Sequence, residues 1–348
     1  MKPRPTIRDV ARDAGVHPGT ASRALNPELP GRIAPETTRR VRAAAHELGY
    51  RPDPIARSLR TQRSGAVGVI VPDLTNPVLA PIVRGIENVL WTAGIACLLA
   101  DTDNEVEREA VMIDELRGRR CDGLVVCTAT RNSATVAALA DGGLPTVLVT
   151  RDIDSGALPF VGANDAAGVR AAVAHLAGLG HERIAHLTGP PNLSTTVARL
   201  DAFLDETRQR GLAHCAELVD HGDSFTVGAG HKLAAEMLAR RSDITAILAG
   251  NDMIALGCYR ALAEAGRHCP DDISVVGHND MPMVDTLQPP LTTVAIPQYE
   301  LGRRAASRLL ELLSGATVGA SRDLLPTELV IRGSTSSAPA TRRAPEGF

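Results

Sequence analysis

The residues best placed to do chemistry stand at the ends of short apolar runs. Asp73 and Asn76 follow "AVGVIVP", Asp101 follows "IACLLA", and Thr150 follows "PTVLV". Asn251 and Asp252 follow "AILAG", and Asn279 and Asp280 follow "ISVVGH". Such amides, hydroxyls and carboxylates can hydrogen-bond a small polar molecule, but they do not make a catalytic set. There is no nucleophile elbow, P-loop, HExxH or paired acid–base constellation, and His175, His181, His186 and His231 lack metal-ligand spacing. Cys97, Cys121, Cys127, Cys215, Cys258 and Cys269 are scattered without a CxxC or Cys/His cluster, and read as buried thiols. No GxGxxG opens a helix. Neither a cofactor nor a metal is expected, and an enzyme is the weaker reading.

A second chemistry is electrostatic. Residues 1–63 carry thirteen Lys and Arg against six Asp and Glu, a charge of +7, while the whole chain is −3, so the other 285 residues carry −10. A basic head on an acidic body points to a nucleic-acid-binding module fused to a part with another task. A merely solvated basic face is the alternative on charge alone.

The elements that position these groups differ between head and body. A chain of 348 residues suggests two or three domains, and 44% apolar with 22% charged residues is a globular composition. No window approaches eighteen uninterrupted apolar residues, and "MKPRPTIRDVARDAG" lacks the apolar core of a signal peptide. A cytoplasmic protein without a membrane segment is expected. In the head, Thr6 can cap a helix with Ile7, Val10, Ala11 and Ala14 as its buried stripe. Gly15-Val16 turns the chain, a second helix runs from Pro18 to Leu25, and a third spans Pro35 to Leu48 and ends at Gly49. Two short helices at a tight turn, braced by a third, predict a helix-turn-helix. Pro18 suits the first helical position, and His17 is an unusual candidate cap. In the body, "AVGVIVPD", "IACLLAD", "DGLVVC" and "PTVLVT" are strands alternating with helices. "PFVGAND", "RIAHLTG", "AILAGND" and "ISVVGHND" repeat the pattern in a second half. That implies an α/β body of two doubly wound parallel sheets, whose ligands sit at the carboxyl ends of the strands.

The runs "TIRDVARDAGVHPGTASRALN" and "TTRRVRAAAHELGYRPDPIARSL" resemble the DNA-binding head of the lactose-/galactose-repressor family of bacterial regulators. "VPDLTNP", "RGIE", "LGHERIAHLTGP", "AGNDMIALG", "DISVVGHND" and "PPLTTVAIP" match that family's periplasmic-binding-protein-like body, in order. The resemblance implies a repressor that binds palindromic operator DNA as a homodimer and responds to a small polar effector, a sugar or related metabolite. It places the second helix in the major groove, with Arg23 reading a base, Thr20 and Ser22 at phosphates or base edges, and Asn26 at the backbone. Ile7 and His17 join them as DNA contacts. Pro18 and Gly19 stand where relatives carry base readers, so Pro18 offers only apolar contact and readout shifts to Arg23 and His17. The loop before the third helix is longer than usual, and its Arg32 can add a phosphate contact. In residues 51–64 the resemblance implies a hinge helix that forms against its dimer mate on DNA, carrying Ile55, Ala56 and Leu59 on one face, with Leu59 wedging into the minor groove. For the effector it carries over Arg199, Asn251, Asn279, Phe225 and Thr150, with Asp73 and Asn76 opposite. Thr150 replaces a frequent Asp, and Val78-Leu79 replaces an aromatic pair.

The domains expected are a head over 1–50, a hinge over 51–64 and a body over 65–332. Within the body, one lobe covers 65–161 plus 293–320, and the other 162–292 plus 321–332. The Ser/Pro/Arg-rich residues 333–348 are expected to be disordered. Besides an enzyme, the other readings are an exported solute-binding protein, which would need a signal peptide and no basic head, and a nucleoid protein binding without sequence preference.

Overall fold

In the computed structural model, the described residues are 5–25, 32–50, 63–316 and 319–339. Contacts divide the chain into Met1–Ser64 and Gly65–Phe348. Of the expected DNA contacts, Asn26, Ala56 and Leu59, with hinge residues 51–62, lie outside the described residues.

The head has helices α1 (Ile7–Asp13), α2 (Pro18–Ala24) and α3 (Pro35–Glu47). Asp9 accepts hydrogen bonds from the Thr6 backbone N–H (2.9 Å) and hydroxyl (2.7 Å), which ties the start of α1. Gly15, at φ +62°, makes the turn that a side chain would strain. Val10, Ala11, Ala14, Ala21, Ala24, Val41, Ala44 and Ala45 form the core, and Ile7 packs against it. Small residues dominate that list, which lets the three helices approach closely.

The body contains two six-stranded sheets. The first uses β1 (Ala66–Val71), β2 (Ala96–Asp101), β3 (Gly123–Val126), β4 (Thr146–Val149) and β5 (Phe160–Ala163). The second uses β6 (Ile184–Thr188), β7 (Val219–His221), β8 (Ala246–Ala249), β9 (Ser274–Asn279) and β10 (Thr292–Ala295). The chain then returns: β11 (Arg322–Leu325) pairs with β5, and β12 (Glu328–Val330) pairs antiparallel with β10. The orders are β11-β5-β4-β3-β1-β2 and β12-β10-β9-β8-β6-β7. Fully buried runs such as those of β3, β4 and β8 are what strands covered on both faces require.

Helices α4 (Leu79–Thr92), α5 (Val106–Gly118), α6 (Ala134–Ala137) and α7 (Asp165–Gly178) intervene, followed by α8 (Ser194–Gln209), α9 (Val227–Arg240), α10 (Asp252–Glu264) and α11 (Gln298–Leu313). Helix α11 returns to the first lobe, where Leu301, Ala305, Ala306 and Leu309 join the core of Val67, Val69 and Ile82. Gly85 and Gly302 make this packing possible, because a Cβ at either would strike the backbone of the opposite helix.

Three sequence expectations change. "PFVGAND" belongs to the first sheet, not the second half, since β5 pairs with β4. The lobe boundaries shift accordingly: β10 lies in the second lobe's sheet and β11 in the first's, so the chain crosses between lobes after β5, after β10 and after β11. Finally, residues 333–339 of the expected tail are docked. The Ser334 hydroxyl donates to Val275 O (2.6 Å) and accepts from Thr292 N–H (2.8 Å), and Val275 N–H donates to Ser334 O. His181 Nε2 meets Ser336 O at 3.0 Å. Small hydroxyl residues here satisfy backbone groups at the start of β9 and β10 that would otherwise be buried unpaired.

Candidate functional site

Helix α2 begins with an unusual cap. His17 Nδ1 accepts a hydrogen bond from Gly19 N–H at 3.1 Å, satisfying one of the orphan donors at a helix start. An accepting Nδ1 puts the neutral ring's proton on Nε2, so the exposed edge of His17 is a donor. Arg23 is exposed and lies along the same helix, with Nε–H donating to Gly19 O at 3.0 Å. Gly19 makes that path free, and among the described residues no hydrogen bond engages the terminal nitrogens. Pro18 and Thr20 are half-buried, while Ser22 and Arg32 are exposed. Ile7 is partly buried against the head's core, so its first role is packing.

In the body, a cleft lies between the two sheets' carboxyl ends. One chamber is lined by Asn76, Thr150, Arg199, Phe225, Asn251 and Asn279 among others, which brings together six of the seven expected effector residues. Asp73 is the exception. Its carboxylate accepts from the N–H (2.7 Å) and hydroxyl (2.6 Å) of Thr75, a local turn that turns it into an adjoining chamber. Three other strand-end carboxylates serve structure. Asp101 accepts from Leu74 N–H (3.2 Å) and Asp103 N–H (3.0 Å), Asp280 pairs with Arg332 (2.7 Å), and Asp252 takes Met281 N–H (2.8 Å) and the Thr293 hydroxyl (2.5 Å).

The floor of the chamber is a buried network that the sequence did not reveal. Arg199 Nη2 donates to Asp165 Oδ1 at 3.0 Å and to Asn279 Oδ1 at 3.4 Å, and Nη1 donates to Gly250 O at 2.5 Å. His278 Nε2 meets the same Asp165 Oδ1 at 2.8 Å. Burial alone would push the Asp165 carboxyl up, but the Arg199 guanidinium and the His278 hydrogen bond hold it below the usual carboxylate range. Burial, helped by Arg199 and opposed by Asp165, pushes His278 down to about 4, so a neutral imidazole donates to an ionised carboxylate. Arg199 Nε is buried with no partner among the described residues. Fixed charge balance with spare hydrogen-bonding capacity suits a polar ligand of no net charge.

Backbone strain marks the same place. Thr150 has φ +66° and Asn279 φ +115°, in the left-handed region that a β-branched residue avoids. Such strain persists where surrounding packing enforces it, and it clusters at ligand sites. Asn251 Oδ1 caps α10 through Ile254 N–H at 2.8 Å. The Phe225 ring packs against Gly189, where any side chain would collide with it. Val78, Leu79, Ile82 and Leu301 supply an apolar wall from the first lobe. Asp165 and His278 were hidden because strand-end polarity gives no hint of partners 113 residues apart. Among the described residues there is no cluster of three or more His, Cys, Asp or Glu able to hold a metal, and no helix is long and apolar enough to cross a membrane.

Comparison with known proteins gives two domain matches. Residues 6–53 match the bacterial regulatory proteins of the lacI family, and residues 173–335 match a periplasmic binding protein-like domain. The chain is 32% identical to the transcriptional repressor CytR of Escherichia coli K12, over 96% of this chain and 97% of that one. Its structure resembles the Lac repressor dimer bound to operator and an anti-inducer, with a TM-score of 0.84, 28% identity, and coverage of 96% of this chain and 100% of that one. It also resembles the regulator CelR in complex with cellobiose, with a TM-score of 0.72, 30% identity, and coverage of 95% and 100%.

Proposed function

The chain belongs to the lacI family of bacterial regulatory proteins, and on that premise we propose how it works. It is a sequence-specific, DNA-binding transcriptional repressor controlled by a small polar effector, a sugar or related metabolite, held in the cleft of its body. As a regulator of chromosomal genes it acts in the cytoplasm, at its operators, and performs no catalysis. The observation that carries this reading is one chain joining a head with exposed donors on α2 to a body whose cleft gathers Arg199, Asn251, Asn279 and strained Thr150.

A two-fold dimer presents two heads, so its operator is a palindrome with half-sites about one helical turn apart. Arg23 reads guanine through O6 and N7, His17 Nε2–H donates to a base acceptor, and Pro18 offers contact to a thymine methyl. Thr20, Ser22, Asn26 and Arg32 set register on phosphates. Ile7 is kept among the DNA contacts through the position of α1. In the hinge, Ala56 and Leu59 enter the minor groove, with Leu59 as the wedge. Closure of the two lobes on the effector changes the separation of the two hinges in the dimer, and thereby operator affinity. Arg199, Asn251, Asn279 and Phe225 hold the effector from one lobe, and Thr150 and Asn76 from the other, with Asp73 reaching it from the adjoining chamber.

The test is selection of fragments from genomic DNA followed by gel shifts against scrambled controls at one salt concentration. The wild type should discriminate strongly. Arg23→Ala should lose about 1–3 kcal/mol of discrimination at each half-site while keeping weak nonspecific binding. Equal binding of selected and scrambled DNA by the wild type would contradict a sequence-specific regulator.

A further inference from the structure

Beyond the chamber around Arg199 the cleft continues into a second one. Pro72, Asn76, Arg151 and Phe225 line both and form the passage between them. The second chamber has about 140 Å³ of free space against about 70 Å³ in the first. Asn104, Glu109 and Thr128 contribute from one lobe, and Asn192, Asp223 and Ser224 from the other.

Hydrogen-bonding capacity is unspent there. Thr128 is 6% exposed, and its hydroxyl has no partner among the described residues. Glu109 is 3% exposed, and the one hydrogen bond to its carboxylate among the described residues comes from the Ser133 hydroxyl, at 3.1 Å. Arg151 directs Nη1 and Nη2 to the same Asn104 Oδ1, each at 3.3 Å, and forms no ion pair among the described residues. Buried polar groups left without partners are costly, and groups of this mixed kind are matched by a molecule rich in hydroxyls, which both donate and accept.

Charge narrows the class. The two chambers are lined by the carboxylates of Asp73, Glu105, Glu109, Asp165 and Asp223 and the guanidiniums of Arg151 and Arg199. Asp165 and Arg199 neutralise each other, which leaves four carboxylates facing one guanidinium. An anionic group entering this space would be repelled. Phe225 is the one aromatic residue lining the second chamber, and it stands at the passage, so a flat aromatic group deep inside would have nothing to stack on.

We propose that the second chamber binds a second hydroxyl-rich ring, so that the effector is a neutral, disaccharide-sized molecule with one ring on each side of the Arg151–Phe225 passage. This rests on the reading that the first chamber holds the effector. The test is calorimetric titration of the full-length protein with ribose, glucose, cellobiose, maltose and glucose 6-phosphate. One disaccharide should bind at least about tenfold tighter than either monosaccharide, with glucose 6-phosphate the weakest. Thr128→Val, which is nearly isosteric, should weaken that disaccharide about tenfold and leave glucose within about twofold. Asn104→Gly, at an exposed residue whose φ of +58° glycine adopts without strain, should do the same and serves if the Thr128 variant folds poorly. Disaccharides that bind no tighter than glucose, variants that leave disaccharide affinity unchanged, a preference for glucose 6-phosphate, or no binding of any probe would each overturn the proposal. Disaccharide and glucose binding both lost in Asn251→Ala, with disaccharide affinity indifferent to both chamber variants, would overturn this proposal and leave the first-chamber reading standing alone. A disaccharide that needs Asn104 but never alters DNA binding would instead sink the regulatory reading and keep this one.

Discussion

Arg199→Ala should give a body destabilised by about 3–5 kcal/mol whose DNA binding no longer responds to the effector. The size follows from what the guanidinium touches. It is the ion-pair partner of buried Asp165 and also donates to Gly250 O, so its removal leaves a buried carboxylate to which, among the described residues, the His278 imidazole is the remaining donor. Leaving a buried charge uncompensated costs far more than losing an exposed pair. The Asp165 carboxyl would then shift upward, because burial is opposed by the His278 hydrogen bond without the guanidinium. Urea denaturation of wild type and variant, with operator gel shifts below the unfolding midpoint, checks both halves. A variant as stable as the wild type would show that Arg199 does not hold the buried pair, and one that still responds to the effector would show that it does not bind it.

Acidification below about pH 6.5 should progressively destabilise the body. His278 and His186 are each pushed down to about 4 by burial, so they stay neutral in the folded state while an unfolded histidine takes a proton near its usual value of about 6.5. Between those values the unfolded chain binds more protons, so stability falls as pH falls, by on the order of 1.4 kcal/mol per pH unit for each histidine. Asp252 works against them. Burial pushes its carboxyl up to about 7, so over much of the same range the folded state holds a proton that the unfolded state has released. That contribution grows as pH falls and cancels roughly one histidine, while His175 and His181, also lowered by burial, add to the loss, so stability still falls as pH falls. His186 donates Nδ1–H to Leu248 O and stacks on Phe203 with ring centroids 4.8 Å apart. His186→Phe should keep the stack, remove one titration and reduce the slope by on the order of 1.4 kcal/mol per unit. Chemical denaturation midpoints at half-unit pH steps would measure it, and an unchanged slope in the variant would refute the assignment.

These two effects arise from contacts that the sequence could not show, whereas the scaffold around them was readable. The eight longer apolar runs became strands because a buried parallel sheet demands continuous Val, Ile and Leu, and that signal needs no partner to be visible. Strands β7 and β12 are three residues long, and β11 is "RDLL" at a sheet edge, so none carries a pattern. Assigning β5 to the wrong lobe had the same root, since a strand's own residues do not say which sheet it joins. At the site, the residues carried over by family resemblance converge except Asp73, whose nearest competitor was its own neighbour Thr75. Asp165 and His278 escaped because both looked like ordinary strand-end polarity until the fold set them against Arg199. The docking of Ser334 and Ser336 was missed for a similar reason: a Ser-rich composition suggests disorder unless buried backbone groups are waiting for hydroxyls.

The measurement that tests the central claim most directly is a reciprocal titration on the wild-type protein. Fluorescence anisotropy would give affinity for the selected operator with and without the sugar that most raises the melting temperature, and calorimetry would give sugar affinity with and without operator. If the cleft controls the head, both affinities shift by one common factor, about 5–150-fold for a coupling of 1–3 kcal/mol. An operator affinity unchanged at saturating sugar would contradict the account, because a ligand that binds both states equally shifts neither.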